Sequence, residues 1–192
     1  MHGYGGRKIE TVNILGFAGS LRKGSYNKAL LRAAGELLPA GASIELFDLD
    51  GIAPFNQDLE GNPPEKVKEF KARIKSASAI LIATPEYNYS VPGVLKNALD
   101  WASRPYGDSA WTGKPLALMS VSTGMLGGSR AQYHLRQTLL FLDVRAVSKP
   151  EVFVTFAGQK FDDKGRLTDE ATRGVVADLL KALVNLASGA VT

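Results

Sequence analysis

The sequence predicts an α/β fold: a five-stranded parallel β-sheet with helices on both faces, making three layers within one domain over residues 11–192. Two observations predict this architecture. Short apolar runs alternate with segments of helical periodicity along the whole chain, a pattern typical of parallel strands joined by helical crossovers. The chain has 192 residues, 45% of them hydrophobic, which suits one domain with a sizeable core. The glycine-rich residues 1–10 are expected to be a disordered extension.

The first two strands and the helix between them follow from local patterns. Val12–Phe17 is an apolar run and forms the predicted first strand. Residues 25–38 form the first helix, because leucines and alanines recur on one face and Ser25 is a favourable N-cap. Ser43–Phe47 alternates polar and apolar side chains, which predicts a shorter second strand.

The middle of the chain supplies the next helix, strand and helix. The second helix begins at residues 63–65, where prolines are tolerated in a first turn, and continues to about residue 76. Ala79–Thr84 is a short, continuous apolar run, which predicts a strand that is buried on both faces. Pro92 then starts the third helix.

The remaining elements complete five strand-helix units. Pro115–Val121 is the predicted fourth strand, and a glycine-rich loop leads from it into a helix over 128–142. Residues 144–154 supply the fifth strand, which is broken near Pro150. The last helix is predicted to be capped by Thr168 and to bury a leucine-rich face.

The number of strands favours one strand order over another. Open parallel sheets commonly have either the flavodoxin-like order 2-1-3-4-5 or the longer Rossmann arrangement. Five strands favour the flavodoxin-like order. In that order the loops after strands one, three and four converge at the carboxyl edge of the sheet, where such folds bind ligands.

The loop after the first strand carries the features of a phosphate site. Hydroxyls, an amide, an arginine and free backbone N–H groups fall at a helix N-terminus, which favours an anion. The segment matches neither Walker A nor the G-x-G-x-x-G fingerprint, so it suggests a mononucleotide phosphate held without magnesium, and FMN fits best. An ordinary serine-capped turn is the alternative. The residues expected at this site are Ser20, Leu21, Arg22, Gly24, Ser25, Tyr26 and Asn27.

The loop after the third strand, Thr84–Gly93, contains two prolines and is therefore expected to be rigid. A rigid loop can direct backbone groups towards the polar edge of a flavin ring. The alternative is a tight connection whose tyrosines only cover the edge of the sheet. The residues expected to line the ring are Pro85, Glu86, Tyr87, Asn88 and Tyr89.

The loop after the fourth strand, Ser122–Gly128, contains three glycines in five positions, which allow the main chain to approach a ligand closely. We expect Ser122, Thr123 and Gly124 to close the other edge of the ring, with N–H groups that stabilise the negative charge of reduced flavin. A glycine-rich helix entry is the alternative.

Composition excludes several other kinds of chemistry. The chain has no cysteine and two histidines, which excludes thiolate catalysis and leaves no histidine-based metal centre, so no metal is expected. The net charge of +4 is scattered, without the clustered basic surface of a nucleic-acid-binding protein. The sequence shows no apolar segment of signal-peptide or membrane-span length, so no membrane association and a cytoplasmic location are expected.

Three motifs together resemble the NADPH-dependent FMN reductase family, and in particular its bacterial chromate and quinone reductases. They are Gly19–Asn27, Thr84–Gly93 with the Leu95–Ala98 and Asp100–Trp101 segments behind it, and Gly127–Arg136. The resemblance covers about residues 11–187. It implies a flavodoxin-like fold, bound FMN, NADPH or NADH as donor, and quinones, chromate or azo dyes as acceptors.

In such an enzyme the hydride passes from nicotinamide to flavin N5, so no side chain is expected to act as catalytic acid, base or nucleophile. Arg104 and Arg130 are candidates for attracting the substrate, either nicotinamide phosphates or chromate. A solvated surface arginine is the alternative for each. A flavodoxin-type electron carrier that binds FMN without turning over NAD(P)H is the alternative function.

The helix over 128–142 also predicts assembly. Besides the face directed to the sheet, it carries Tyr133, Leu140 and Phe141 on the opposite face, where a surface helix is usually polar. A homo-oligomer, dimer or tetramer, joined through this helix is therefore expected, with the alternative that a C-terminal segment covers the face.

Overall fold

The computed structural model describes residues 11–189, so the predicted extension over 1–10 lies outside the described residues. Strands and helices alternate as the sequence predicts. The strands are β1 (Val12–Ala18), β2 (Ala42–Phe47), β3 (Ala79–Ala83), β4 (Pro115–Val121), β5 (Arg145–Ala146) and β6 (Val152–Val154). The helices are α1 (Tyr26–Glu36), α2 (Glu65–Ser76), α3 (Gly93–Ala102), α4 (Ser129–Phe141) and α5 (Glu170–Ser188), with single 3₁₀ turns at Gln57–Leu59 and Ala157–Gln159.

The sheet has the predicted strand order, β2-β1-β3-β4-β5, and its strand pairs are parallel. The predicted fifth strand is divided into two short strands. Both pair with β4: β5 lies beside Pro115–Leu116, and β6 lies beside Met119–Val121. The segment between them contains Pro150, and proline cannot donate to a strand ladder.

The core lies on both faces of the sheet, because every residue of β3 and β4 is buried. On one face α1 and α5 pack against the sheet, and Leu30, Leu180 and Leu183 are among the residues buried there. On the other face lie α2, α3 and α4, with Phe70, Leu95 and related side chains. This arrangement confirms the predicted α/β sandwich.

Helix capping agrees with the sequence at α1 and differs at α5. Ser25 caps α1, and its hydroxyl accepts a hydrogen bond from the Lys28 amide at 3.4 Å. The predicted cap Thr168 lies one residue too early. Asp169 caps α5 by accepting from the Thr172 amide at 2.9 Å, whereas Thr168 donates to the Lys160 carbonyl. A carboxylate is as good a cap as a hydroxyl and also favours the positive end of the helix.

Among residues 11–189, none of the helices combines the length and the apolar character that crossing a bilayer requires.

Candidate cofactor site

The loops after β1, β3 and β4 meet at one edge of the sheet, as the strand order predicts. The hydroxyls of Ser20 and Tyr87 lie 3.5 Å apart, which joins the first loop to the second. Asn27, in the first turn of α1, makes two hydrogen bonds to Val121, the last residue of β4. We call the three segments the phosphate loop (Ser20–Ser25), the tyrosine turn (Pro85–Ser90) and the glycine loop (Ser122–Gly128).

The phosphate loop presents backbone donors to solvent at the N-terminus of α1. Within residues 11–189, no hydrogen bond engages the N–H groups of residues 21–24. Ser20 and Ser25 are 3% and 4% exposed, whereas Leu21, Arg22 and Gly24 are exposed. Unpaired amides beside a helix N-terminus, with an arginine next to them, form an anion-binding arrangement.

Two of the residues predicted at the phosphate site, Tyr26 and Asn27, also make contacts within the fold. Tyr26 is half-buried, and its ring packs 5.3 Å from the ring of Phe161, measured between centroids. Asn27 is buried, its Nδ2 donates to the Val121 carbonyl at 3.0 Å, and its Oδ1 accepts from the Val121 amide at 3.1 Å. Asn27 therefore positions α1 against β4, and one Nδ2 hydrogen remains for a ligand.

The tyrosine turn is a two-residue hairpin. The Tyr87 amide donates to the Ser90 carbonyl at 3.1 Å, and the Ser90 amide donates back at 3.0 Å. Between them, Asn88 and Tyr89 both have positive φ, 49° and 69°, as a type I′ turn requires. This conformation is unfavourable for a tyrosine, and such strain clusters at functional sites. The amides of Asn88 and Tyr89 make no hydrogen bond within the described part of the chain.

Arg130, at the start of α4, holds this turn from the side. Its guanidinium donates one hydrogen bond, from Nε to Glu86 Oε1 at 2.5 Å, and forms an ion pair with the same oxygen through Nη2. Its Cζ lies 3.5 Å from the Tyr89 ring centroid. The hydrogen bond to Glu86 raises the pKa of Arg130. The Glu86 side chain is 9% exposed, and its Oε2 has no partner among the described residues. The structure thus pairs Arg130, a predicted substrate ligand, with a residue predicted to line the flavin.

The glycine loop is fixed at its base and open at its tip. The Ser122 amide donates to the Val154 carbonyl at 3.0 Å, and the Ser122 hydroxyl donates to the Gly124 carbonyl at 3.2 Å. Thr123, Gly124 and Met125 are exposed, and their amides make no hydrogen bond inside the described range. The tip therefore offers three successive donors.

A fourth segment, which no local sequence pattern indicated, also reaches this edge of the sheet. The Phe156 amide donates to the Gly124 carbonyl at 3.2 Å, and the Ala157 amide donates to the Ser122 carbonyl at 3.0 Å. Phe156 is partly exposed and has a positive φ of 49°. The predicted strand order could have indicated this segment, because the carboxyl end of the last parallel strand lies at the same edge of the sheet.

Arg104 does not join the three loops. Arg104 lies just beyond the C-terminal end of α3, whereas the tyrosine turn precedes the N-terminal end of that helix. The two ends of a ten-residue helix are about 15 Å apart. Arg104 Nη1 lies 3.6 Å from Glu60 Oε1, and its Cζ lies 4.0 Å from the Tyr106 ring centroid. The structure of the single chain gives no support to the expectation that Arg104 contacts substrate.

The donors at the edge fit FMN. The phosphate loop offers unpaired amides, two serine hydroxyls and an arginine for a phosphate, and the glycine loop offers amides suited to the carbonyl oxygens of a flavin ring. The tyrosine turn adds two exposed aromatic rings. No group of histidine and carboxylate side chains in residues 11–189 could hold a metal ion.

Comparison with known proteins agrees with this geometry. Residues 12–159 match the family model described as NADPH-dependent FMN reductase. An NAD(P)H-dependent FMN reductase of Pseudomonas aeruginosa is 51% identical over 91% of this chain and 94% of its own length. An NAD(P)H:quinone oxidoreductase of Solanum tuberosum is 46% identical over 92% of this chain and 93% of its own length.

A solved structure shares the fold over nearly the same length. It is FerB, a flavoenzyme NAD(P)H:(acceptor) oxidoreductase from Paracoccus denitrificans, 35% identical, with a TM-score of 0.85 over 92% of this chain and 97% of its own. The motifs, the strand order and these matches agree: the chain belongs to the NADPH-dependent FMN reductase family.

Proposed function

We propose that this chain is an FMN-dependent oxidoreductase that takes reducing equivalents from NADPH or NADH and passes them to quinones. The observation that carries the proposal is the convergence of three loops at one edge of the sheet, each with backbone N–H groups that make no hydrogen bond within residues 11–189. Membership of the family supports the flavin and the nicotinamide donor. The similarity to a plant NAD(P)H:quinone oxidoreductase supports the acceptor.

Each loop has a separate role in this proposal. FMN, when bound, supplies the redox chemistry by accepting a hydride from the nicotinamide and returning its electrons to the acceptor. The phosphate loop binds the phosphate through its amides, its serines and Arg22. The tyrosine turn lines the ring, and Thr123, Gly124 and Met125 direct amides at the oxygen-bearing edge of the ring. The side chains bind and orient, and none has to move a proton.

Chromate and other small oxidants are further proposed acceptors. An exposed flavin face can deliver electrons to any oxidant that reaches it, and the chain carries a net charge of +4 that attracts anions. We also propose that the enzyme acts in the cytoplasm, where NAD(P)H is available.

A spectroscopic titration tests the function. FMN is added to the purified protein, NADPH or NADH is added without oxygen, and a panel of quinones and chromate follows. Loss of the oxidised-flavin absorbance on adding nicotinamide, and its recovery on adding quinone, are expected. Bound FMN that no nicotinamide reduces would indicate the flavodoxin-type electron carrier instead. Failure to bind FMN would reject both functions.

We also propose a homo-oligomer, a dimer or a tetramer, joined through α4. Leu140 and Phe141 are each 82% exposed, and Tyr133 is 50% exposed on the same outer side of the helix. Large apolar side chains exposed on one helix face are typical of an interface. A second copy of this chain is the proposed occupant.

Light scattering after size-exclusion chromatography tests the assembly. The variant L140K/F141K should have a lower mass than the wild type at micromolar concentration. The matched control is V175K, which alters a partly exposed apolar residue on α5, and it should keep the wild-type mass. A monomeric wild type would contradict the interface.

A further inference from the structure

A buried glutamine lies beneath the glycine loop. Gln132, on α4, is fully buried, and its Nε2 donates to the Ser120 hydroxyl at 2.7 Å and to the Val152 carbonyl at 2.9 Å. One side chain therefore joins α4 to two neighbouring strands, to β4 one residue before its carboxyl end and to β6 at its first residue.

The contact continues from Ser120 into the loop. The Ser120 hydroxyl donates to the Gly127 carbonyl at 2.5 Å. Gly127 and Gly128 both have positive φ, and there is no space for a side chain at either position. A Cβ would lie 2.8 Å from the Phe153 carbonyl carbon in the first case and 2.8 Å from Ser120 Cβ in the second. The end of the loop at Gly127 and Gly128 is therefore held in one position, while the tip of the loop is exposed.

Stability alone does not account for a glutamine here. Its Oε1 is buried and has no hydrogen-bond partner among residues 11–189, which costs free energy. The neighbouring positions on the same face of α4, Leu135 and Leu139, are fully packed apolar side chains. What Gln132 provides that an apolar residue could not is the pair of N–H donors to Ser120 and Val152.

We propose that Gln132 is a positioning residue for the flavin. Through Ser120 it holds the glycine loop so that the amides of Thr123, Gly124 and Met125 point to the oxygen-bearing edge of the ring. This inference rests on the proposed function. Reduced flavin carries negative charge at that edge, and donors that are already oriented stabilise developing charge most strongly. Gln132 thereby raises the affinity for the reduced cofactor more than that for the oxidised one.

The test compares Gln132→Leu and Ser120→Ala with a matched control. The control is Lys114→Met. Like Gln132→Leu it removes two side-chain hydrogen bonds, here those that Lys114 Nζ donates to the backbone carbonyls of Lys75 and Ala77. Lys114 immediately precedes β4, at the opposite edge of the sheet. Binding of FMN, the two-electron midpoint potential of the bound flavin and the melting temperature are measured for each variant.

Gln132→Leu should bind reduced FMN about tenfold more weakly relative to oxidised FMN, which lowers the midpoint potential by about 30 mV. Ser120→Ala should shift it in the same direction, and it provides the test if Gln132→Leu does not fold. Lys114→Met should lower the melting temperature and leave the potential unchanged. An unchanged potential in both site variants, or an equal shift in the control, would overturn the inference. Wild-type protein that does not bind FMN would instead reject the proposed function.

Discussion

Asn27 and Val121 exchange two hydrogen bonds across the carboxyl edge of the sheet, through the side chain of the first and the backbone of the second. The phosphate loop leads into the helix that carries Asn27, and the glycine loop begins one residue after Val121. One buried amide therefore fixes the distance between the proposed phosphate site and the proposed ring site.

Asn27→Ala is expected to destabilise the protein by about 2–4 kcal/mol, because it leaves the buried amide and carbonyl of Val121 without partners. Urea unfolding measures the loss. Asn13→Ala is the control, since the exposed Asn13 side chain accepts one hydrogen bond, from the exposed Ser43 hydroxyl; it should change stability by no more than about 0.5 kcal/mol. Equal effects of the two substitutions would contradict the role assigned to Asn27.

The phosphate loop can be tested with two neighbouring cations. Arg22→Ala should weaken FMN binding about tenfold, the effect of losing roughly 1.4 kcal/mol of charge-assisted hydrogen bonding. Lys23→Ala, which removes an exposed charge from the next residue, should have a much smaller effect. Riboflavin lacks the phosphate, so its affinity should be the same for the wild type and Arg22→Ala. A parallel loss of riboflavin binding would show that Arg22 acts on the ring or on the fold.

Glu86 and Arg130 should act as one unit. Because Glu86 is largely buried and Arg130 both donates a hydrogen bond to it and forms an ion pair with it, the variants Glu86→Gln and Arg130→Ala should each lower the melting temperature. The double variant should be hardly less stable than the worse single variant, since residues in contact are not additive. Additive losses would show that the pair does not hold the tyrosine turn.

Variants of the same two residues distinguish two ways in which Arg130 could affect activity. If Arg130 acts by positioning the turn, Glu86→Gln should reduce activity towards a neutral quinone about as much as Arg130→Ala does. A loss of activity that occurs only in Arg130→Ala and only with anionic substrates would instead support the direct substrate contact predicted from the sequence.

Asp108 provides a pH-dependent contribution to stability away from the site. Hydrogen bonds from Lys71 and then Lys75 lower its pKa from 3.8 to about 2. A carboxyl group whose pKa is lower in the folded state stabilises the fold above the unfolded pKa, and this contribution is lost as pH falls towards the folded pKa. The wild type should therefore exceed Asp108→Asn in melting temperature at about pH 6, and the difference should shrink between about pH 4 and pH 2. A difference that does not depend on pH would contradict this origin.

The sequence by itself determined the order of the elements, and it predicted the three loops of the candidate site. The largely apolar runs at Val12–Phe17, Ala79–Thr84 and Pro115–Val121 predict the strands, because strands buried on both faces are mostly apolar. Since parallel strands end at one edge, the polar and glycine-rich segments after them had to lie near one another.

Only the tertiary structure decided how individual side chains are used. The pairing of Asn27 with Val121, of Glu86 with Arg130 and of Gln132 with Ser120 joins residues far apart in the chain, and no local pattern specifies such contacts. The separation of Arg104 from the loops depends likewise on the length and direction of α3. Periodicity records which side of an element is buried, whereas the partner of a buried polar group depends on how the elements pack, which is settled only when the whole chain is folded.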